Sequence, residues 1–171
     1  MKERHEIAVA KRLLGKLGED SKSLRRGSPP EPDVLLGSND TSIGIEVATA
    51  YYNQSDAQLE WEHARGQKTY SSSFIPSPDD AICRSIQERI NEKCRKHYQG
   101  AIEYWLCIDV DAPLWDQESA KECVHALSIP SQHGFARVYL VWESPTVAGA
   151  SISEVGGTKA VELYPHKAEW S

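Results

Sequence analysis

Residues 29–52, PPEPDVLLGSNDTSIGIEVATAYY, constrain this chain more than any other stretch. Two short apolar runs, 34–36 and 43–48, flank a loop of turn-forming residues from Gly37 to Ser42. Aliphatic and β-branched runs on either side of such a loop predict an antiparallel pair of strands. A symmetric closure sets Leu36 opposite Ile43 and, counting outward, Asp33 opposite Glu46. Two carboxylates then meet on neighbouring backbones, and directly opposed like charges destabilise a sheet unless something binds between them. The period of two places Ile43, Ile45 and Val47 on one face and Gly44, Glu46 and Ala48 on the other, so Glu46 is a patterned member of its strand. A helix cap or a structural ion pair is the alternative use of two such carboxylates, and the flanking elements bear on the choice.

Pro32-Asp33, a spacer, and then Ile45-Glu46-Val47-Ala48 resembles the core motif of the PD-(D/E)XK, or restriction endonuclease-like, nuclease superfamily. The resemblance spans roughly residues 3–141 when flanking elements are counted, but its specific part is four residues. It implies a three-layer α/β sandwich in which a central mixed sheet is flanked by helices. It further implies that Asp33, Glu46 and the Val47 carbonyl hold Mg²⁺ or Mn²⁺. In the superfamily a lysine two residues after the glutamate assists the attacking water; here that position is Ala48.

Composition narrows the class. A chain of 171 residues with 40% apolar content suits one globular domain over its whole length, 1–171. The formal net charge of −6 argues against a broad non-specific nucleic-acid surface, which is usually basic, and leaves only local basic patches. Cys83, Cys94, Cys107 and Cys123 have no close zinc-type spacing, and the N-terminus has no apolar signal region. Reduced thiols and a cytoplasmic location are therefore expected. No stretch reaches membrane-spanning length.

Along the chain, residues 2–17 read as an amphipathic helix stopped by Gly18, with Ile7, Ala10, Leu14 and Leu17 at helical spacing. In the resembled family such a helix can carry an acidic residue toward the metal, and Glu3 or Glu6 is the candidate. Residues 19–31 read as a polar loop whose Arg25 and Arg26 are candidates for phosphate contact. Residues 56–70 suggest a helix with His63, Arg65 and Lys68 on its polar side, and the Ser- and Pro-rich 71–78 a loop. Residues 102–110 form a continuous apolar run fit for a central strand covered on both faces. Asp109 and Asp111 look like turn formers at its end. A helix over 115–127, a strand over 136–142 and an edge strand over 159–164 complete the α/β order.

The clearest helix spans 78–98, with the stripe Ile82, Ile86 and Ile90 turned inward. At about 100° per residue, Lys93 falls about 20° from Ile86 and His97 about 20° to the other side. Lys93 thus points at the core, toward the space that Ala48 leaves beside Glu46. Some members of the resembled superfamily carry the lysine on a neighbouring helix, which assigns that role to Lys93, with Lys96, about 80° away, as second choice.

The function this implies is metal-assisted hydrolysis of a phosphodiester in nucleic acid, DNA ahead of RNA, with Asp33, Glu46 and Lys93 as catalytic residues. A homodimer is compatible with it. The competing class is a protein-binding or regulatory module on the same fold, in which the alanine at position 48 marks lost activity.

Overall fold

Residues 2–38, 42–51, 78–112, 115–144 and 157–166 are described in the computed structural model. They form an α/β structure of six strands and three helices. In chain order these are α1 (Lys2–Leu17), β1 (Leu24–Arg26), β2 (Val34–Leu36), β3 (Ile43–Tyr51), α2 (Pro78–Cys94), β4 (Glu103–Asp111), α3 (Gln117–Ala126), β5 (Arg137–Ser144) and β6 (Gly157–Tyr164). The segment 56–70, with His63, Arg65 and Lys68, lies outside the described residues.

The strands lie side by side in sequence order. β2 runs antiparallel to both its neighbours β1 and β3, β3, β4 and β5 run parallel, and β6 returns antiparallel to β5. A sheet with parallel strands at its centre needs crossovers, and the helices α2 and α3 lie on those connections. The hydrophobic pattern decides which face each helix covers. Val9, Ala10, Leu13 and Leu14 of α1 pack with Val34, Ile45, Val47, Trp105, Cys107, Tyr139 and Val141 on one face. Ile82, Ile86 and Ile90 of α2 and Ala120, Cys123 and Val124 of α3 pack with Leu106, Ile108, Val110, Leu140 and Trp142 on the other. Successive residues of β4 therefore feed opposite cores, which is why its sequence is apolar without alternation.

Gly18 ends α1 as its sequence suggests: it takes a φ of +73°, and the Glu19 N–H returns to the Leu14 carbonyl at 2.9 Å. Other expectations need correction. Residues 24–26 are an edge strand within the expected loop, so Arg25 and Arg26 lie on a sheet edge. α2 stops at Cys94, where the Lys96 N–H bonds the Lys93 carbonyl in a turn, so helical spacing no longer governs His97, which is exposed. Cys83 of α2 and Cys123 of α3 are joined in a disulfide with Cα atoms 5.5 Å apart, in place of the reduced thiols expected there; Cys94 and Cys107 are free and buried. Sequence spacing cannot show this pairing, because it depends on how two crossover helices lie against each other. Among the described residues no helix is long and apolar enough to cross a membrane.

Candidate functional site

The hairpin register is the one the turn implies: Leu36 pairs with Ile43 and Val34 with Ile45. One step further, Asp33 stands opposite Glu46. Val34, Ile45 and Val47 belong to the α1 face, so Asp33 and Glu46, which alternate with them, turn to the α2 face. The Asp33 N–H donates to Glu46 Oε2 at 3.3 Å, and the Val47 N–H donates to Asp33 Oδ2 at 3.0 Å. The Asp33 side chain thus takes over the pairing of β3 where β2 ends. The N–H and C=O of one strand residue face the same neighbour in such a ladder, so the Val47 carbonyl turns to this edge as well.

Lys93, in the last turn of α2, completes the group. Its ammonium donates to Glu46 Oε1 at 2.6 Å, with the lysine side chain 14% and the glutamate side chain 6% exposed. Lys96 does not take this place; it lies past the end of α2, is about half exposed and pairs with Glu92 of that helix. Glu6 is buried on α1, the helix that packs on the opposite face.

The electrostatics follow from burial. Glu46 is pushed above the ordinary carboxylate range first by desolvation and then by the charge of Asp33, against the pull of Lys93. Burial works to lower the Lys93 ammonium, but its bond to Glu46 and the charges of Glu46, Asp33 and Glu92 outweigh this and raise it. The site therefore rests as a carboxylate pair of which Glu46 is held by lysine. Ala48, two residues beyond Glu46, is buried on the same face.

Oxygen donors of this kind suit magnesium or manganese: two carboxylates and a strand carbonyl are hard ligands. Among the described residues no group of three or more His, Cys, Asp and Glu side chains is placed to hold a metal ion. Any ion at the hairpin would thus rely on Asp33, Glu46, the Val47 carbonyl and water.

Two features escaped sequence reading. Tyr98, four residues past the end of α2, sets its hydroxyl toward Glu46, and burial followed by the Glu46 charge keeps that phenol well above its ordinary range. The truncated helix explains the omission, since a helix running through to 98 gives that residue another direction. The second is Asp109, which is a buried strand residue and no turn former. Arg12 of α1 bridges Asp109 and Glu143, each at 2.9 Å, while His5 Nε2 lies 3.2 Å from Asp109 and 3.2 Å from the Thr49 hydroxyl. These contacts pin α1 across β3, β4 and β5. Desolvation holds Asp109 above its ordinary range despite Arg12 and His5. The signal was present in the sequence: Asp109 keeps the two-residue spacing of Trp105 and Cys107, whose face α1 covers.

No known family model, curated protein or solved structure matches this chain.

Proposed function

We propose that this chain is a metal-dependent nuclease of restriction endonuclease-like architecture, hydrolysing phosphodiester bonds of nucleic acid, DNA ahead of RNA. The observation that supports it is the convergence of Asp33, Glu46 and Lys93, drawn from β2's leading edge, the middle of β3 and the end of α2, on one point of one sheet face. Asp33, Glu46 and the Val47 carbonyl would hold Mg²⁺ or Mn²⁺, which when bound would supply positive charge for the phosphate and a lowered pKa for water.

The protein's own groups would do the rest. Lys93 carries its proton firmly, so it acts as a donor and a charge, never as a base. On arrival of a phosphate, its ammonium would turn from Glu46 Oε1 to an oxygen on phosphorus and offset the charge that builds there. A water oxygen adds to phosphorus and gives its proton to solvent, the bond from phosphorus to the sugar oxygen breaks, and the departing oxygen takes a proton from solvent. The Val47 N–H fixes Asp33, and the Asp33 N–H fixes Glu46, so both carboxylates keep their places during the exchange.

The test is a panel of single- and double-stranded DNA and RNA with Mg²⁺ and Mn²⁺, scored against Asp33→Asn. That variant keeps an acceptor for the Val47 N–H and is a cleaner control than Glu46→Ala, which would strand the buried Lys93 ammonium. Cleavage by the wild type alone supports the proposal; no cleavage and no metal binding by calorimetry overturn it. The 2.6 Å pair of Lys93 with Glu46 favours one other reading, a regulatory module in which the lysine serves permanently as the site's cation.

A further inference from the structure

A divalent ion at this site and the Lys93 ammonium need the same oxygen. Of the four carboxylate oxygens of Asp33 and Glu46, three are bonded within the protein: Glu46 Oε1 accepts from the Lys93 ammonium at 2.6 Å, Glu46 Oε2 from the Asp33 N–H at 3.3 Å and Asp33 Oδ2 from the Val47 N–H at 3.0 Å. The two backbone donors are neutral, and each leaves a lone pair on its oxygen free for an ion. The ammonium differs. It is a cation seated on the oxygen, and it repels a second cation there. An ion that uses Glu46 Oε1 must therefore displace Lys93, whose side chain is only 14% exposed. An ammonium pulled off its carboxylate at that depth loses its partner with little water to replace it, which makes the displacement costly.

We propose that the Lys93–Glu46 bond is an autoinhibitory latch, which makes the site take up a divalent cation and a phosphate group together. This rests on the nuclease reading above and names how that site is regulated. A phosphate offers the ammonium a new anionic partner and so draws it off Glu46 Oε1, and the freed oxygen becomes available to the ion. The arrangement of the elements suits the exchange. The oxygens belong to the hairpin, where Asp33 and Glu46 are held by backbone N–H groups, while the ammonium sits at the tip of a long side chain in the last turn of α2. Lys93 can thus change partners without moving either carboxylate. Because binding free energies are reciprocal, the phosphate tightens the ion and the ion tightens the phosphate by the same factor. Free Mg²⁺ alone leaves the latch closed, so the site loads its metal when a phosphate-bearing ligand is present.

The experiment measures Mg²⁺ affinity by calorimetry for the wild type and for Lys93→Met, each with and without saturating inorganic phosphate and at known free Mg²⁺. Phosphate is expected to tighten Mg²⁺ binding to the wild type at least about fivefold. Direct attraction between ion and phosphate acts in both proteins, so the latch is read as the difference between them. Without phosphate, Lys93→Met should bind Mg²⁺ at least about threefold more tightly than the wild type, and its gain from phosphate should be less than about half the wild-type factor. Where Lys93→Met does not fold, Lys93→Gln, which keeps a hydrogen bond to Glu46 without the charge, takes its place. Wild-type Mg²⁺ affinity that ignores phosphate overturns the proposal whatever the variants do. Equal gains from phosphate in the two proteins, or Mg²⁺ binding no tighter without Lys93, also overturn it. Cleavage is no part of this readout: coupled binding by a protein that cuts nothing would refute the nuclease reading and leave the latch standing, and cleavage with uncoupled binding would do the reverse.

Discussion

Lys93 and Glu46 lie 47 residues apart in the chain and meet at 2.6 Å between two layers of the fold. Partners so enclosed depend on each other: losing one leaves the other as an unpaired charge away from water. Glu46→Ala is expected to destabilise the protein by about 3 kcal/mol, whereas replacing both residues together, as Glu46→Leu/Lys93→Met, should cost clearly less than the sum of the single changes. Urea unfolding of the four proteins of this cycle gives the coupling. Additive effects would mean that the ion pair contributes nothing to stability.

The face shared by Glu46 and Ala48 permits a relocation experiment. Lys93→Ala is expected to lower the cleavage rate by roughly 10²-fold, the lower end of what a positioned proton donor contributes. Adding Ala48→Lys, which places a lysine on the strand beside Glu46, should recover at least about tenfold of that loss. A Lys93→Ala protein with full activity would remove Lys93 from the mechanism.

Stability against pH tests the repulsion between the carboxylates. The folded value for Glu46 lies above its ordinary 4.5, so its contribution is fully present below about pH 4.5 and is lost as pH rises through the raised value. Asp33→Asn removes the second cause of that rise and leaves the first, burial. The variant should therefore lose less stability than the wild type between about pH 4 and pH 8, and at neutral pH it should be as stable or up to about 1 kcal/mol more so. Asp109 contributes equally to both proteins, so the difference isolates the hairpin. Parallel pH curves would contradict the reading.

The disulfide closes a loop with a sequence separation of 40 between α2 and α3. On a chain-entropy account, reduction or Cys83→Ser should lower stability by about 3–4 kcal/mol. Denaturant midpoints with and without reductant measure this, with Cys83→Ser as the reductant-insensitive control. An unchanged wild-type midpoint in reductant would show that the cross-link carries no stability.

Short-range physics made much of the site legible. The turn length fixed which residues oppose each other, the period of two fixed their faces, and the isoleucine stripe on α2 fixed the direction of Lys93. What escaped depended on contacts between distant elements. Arg12 gives no hint in α1 that it will reach Asp109 and Glu143 on two separate strands, and Cys83 carries no mark that Cys123 is its neighbour. Tyr98 was hidden for another reason: helix ends are set by a few hydrogen bonds, and four residues of difference turn a side chain completely.

Gly44, two residues before Glu46, faces the Pro32 ring, the Tyr104 ring and Ala101. A methyl group there would come within 2.5 Å of the proline Cγ and 2.9 Å of the tyrosine Cδ1. Pro32 directly precedes Asp33, and neither a proline ring nor a packed aromatic can step aside cheaply. The spacing between the carboxylates is therefore governed by a hydrogen atom: Gly44→Ala acts as a wedge, prising the two strands apart at their charged end while every charged group of the site remains chemically intact.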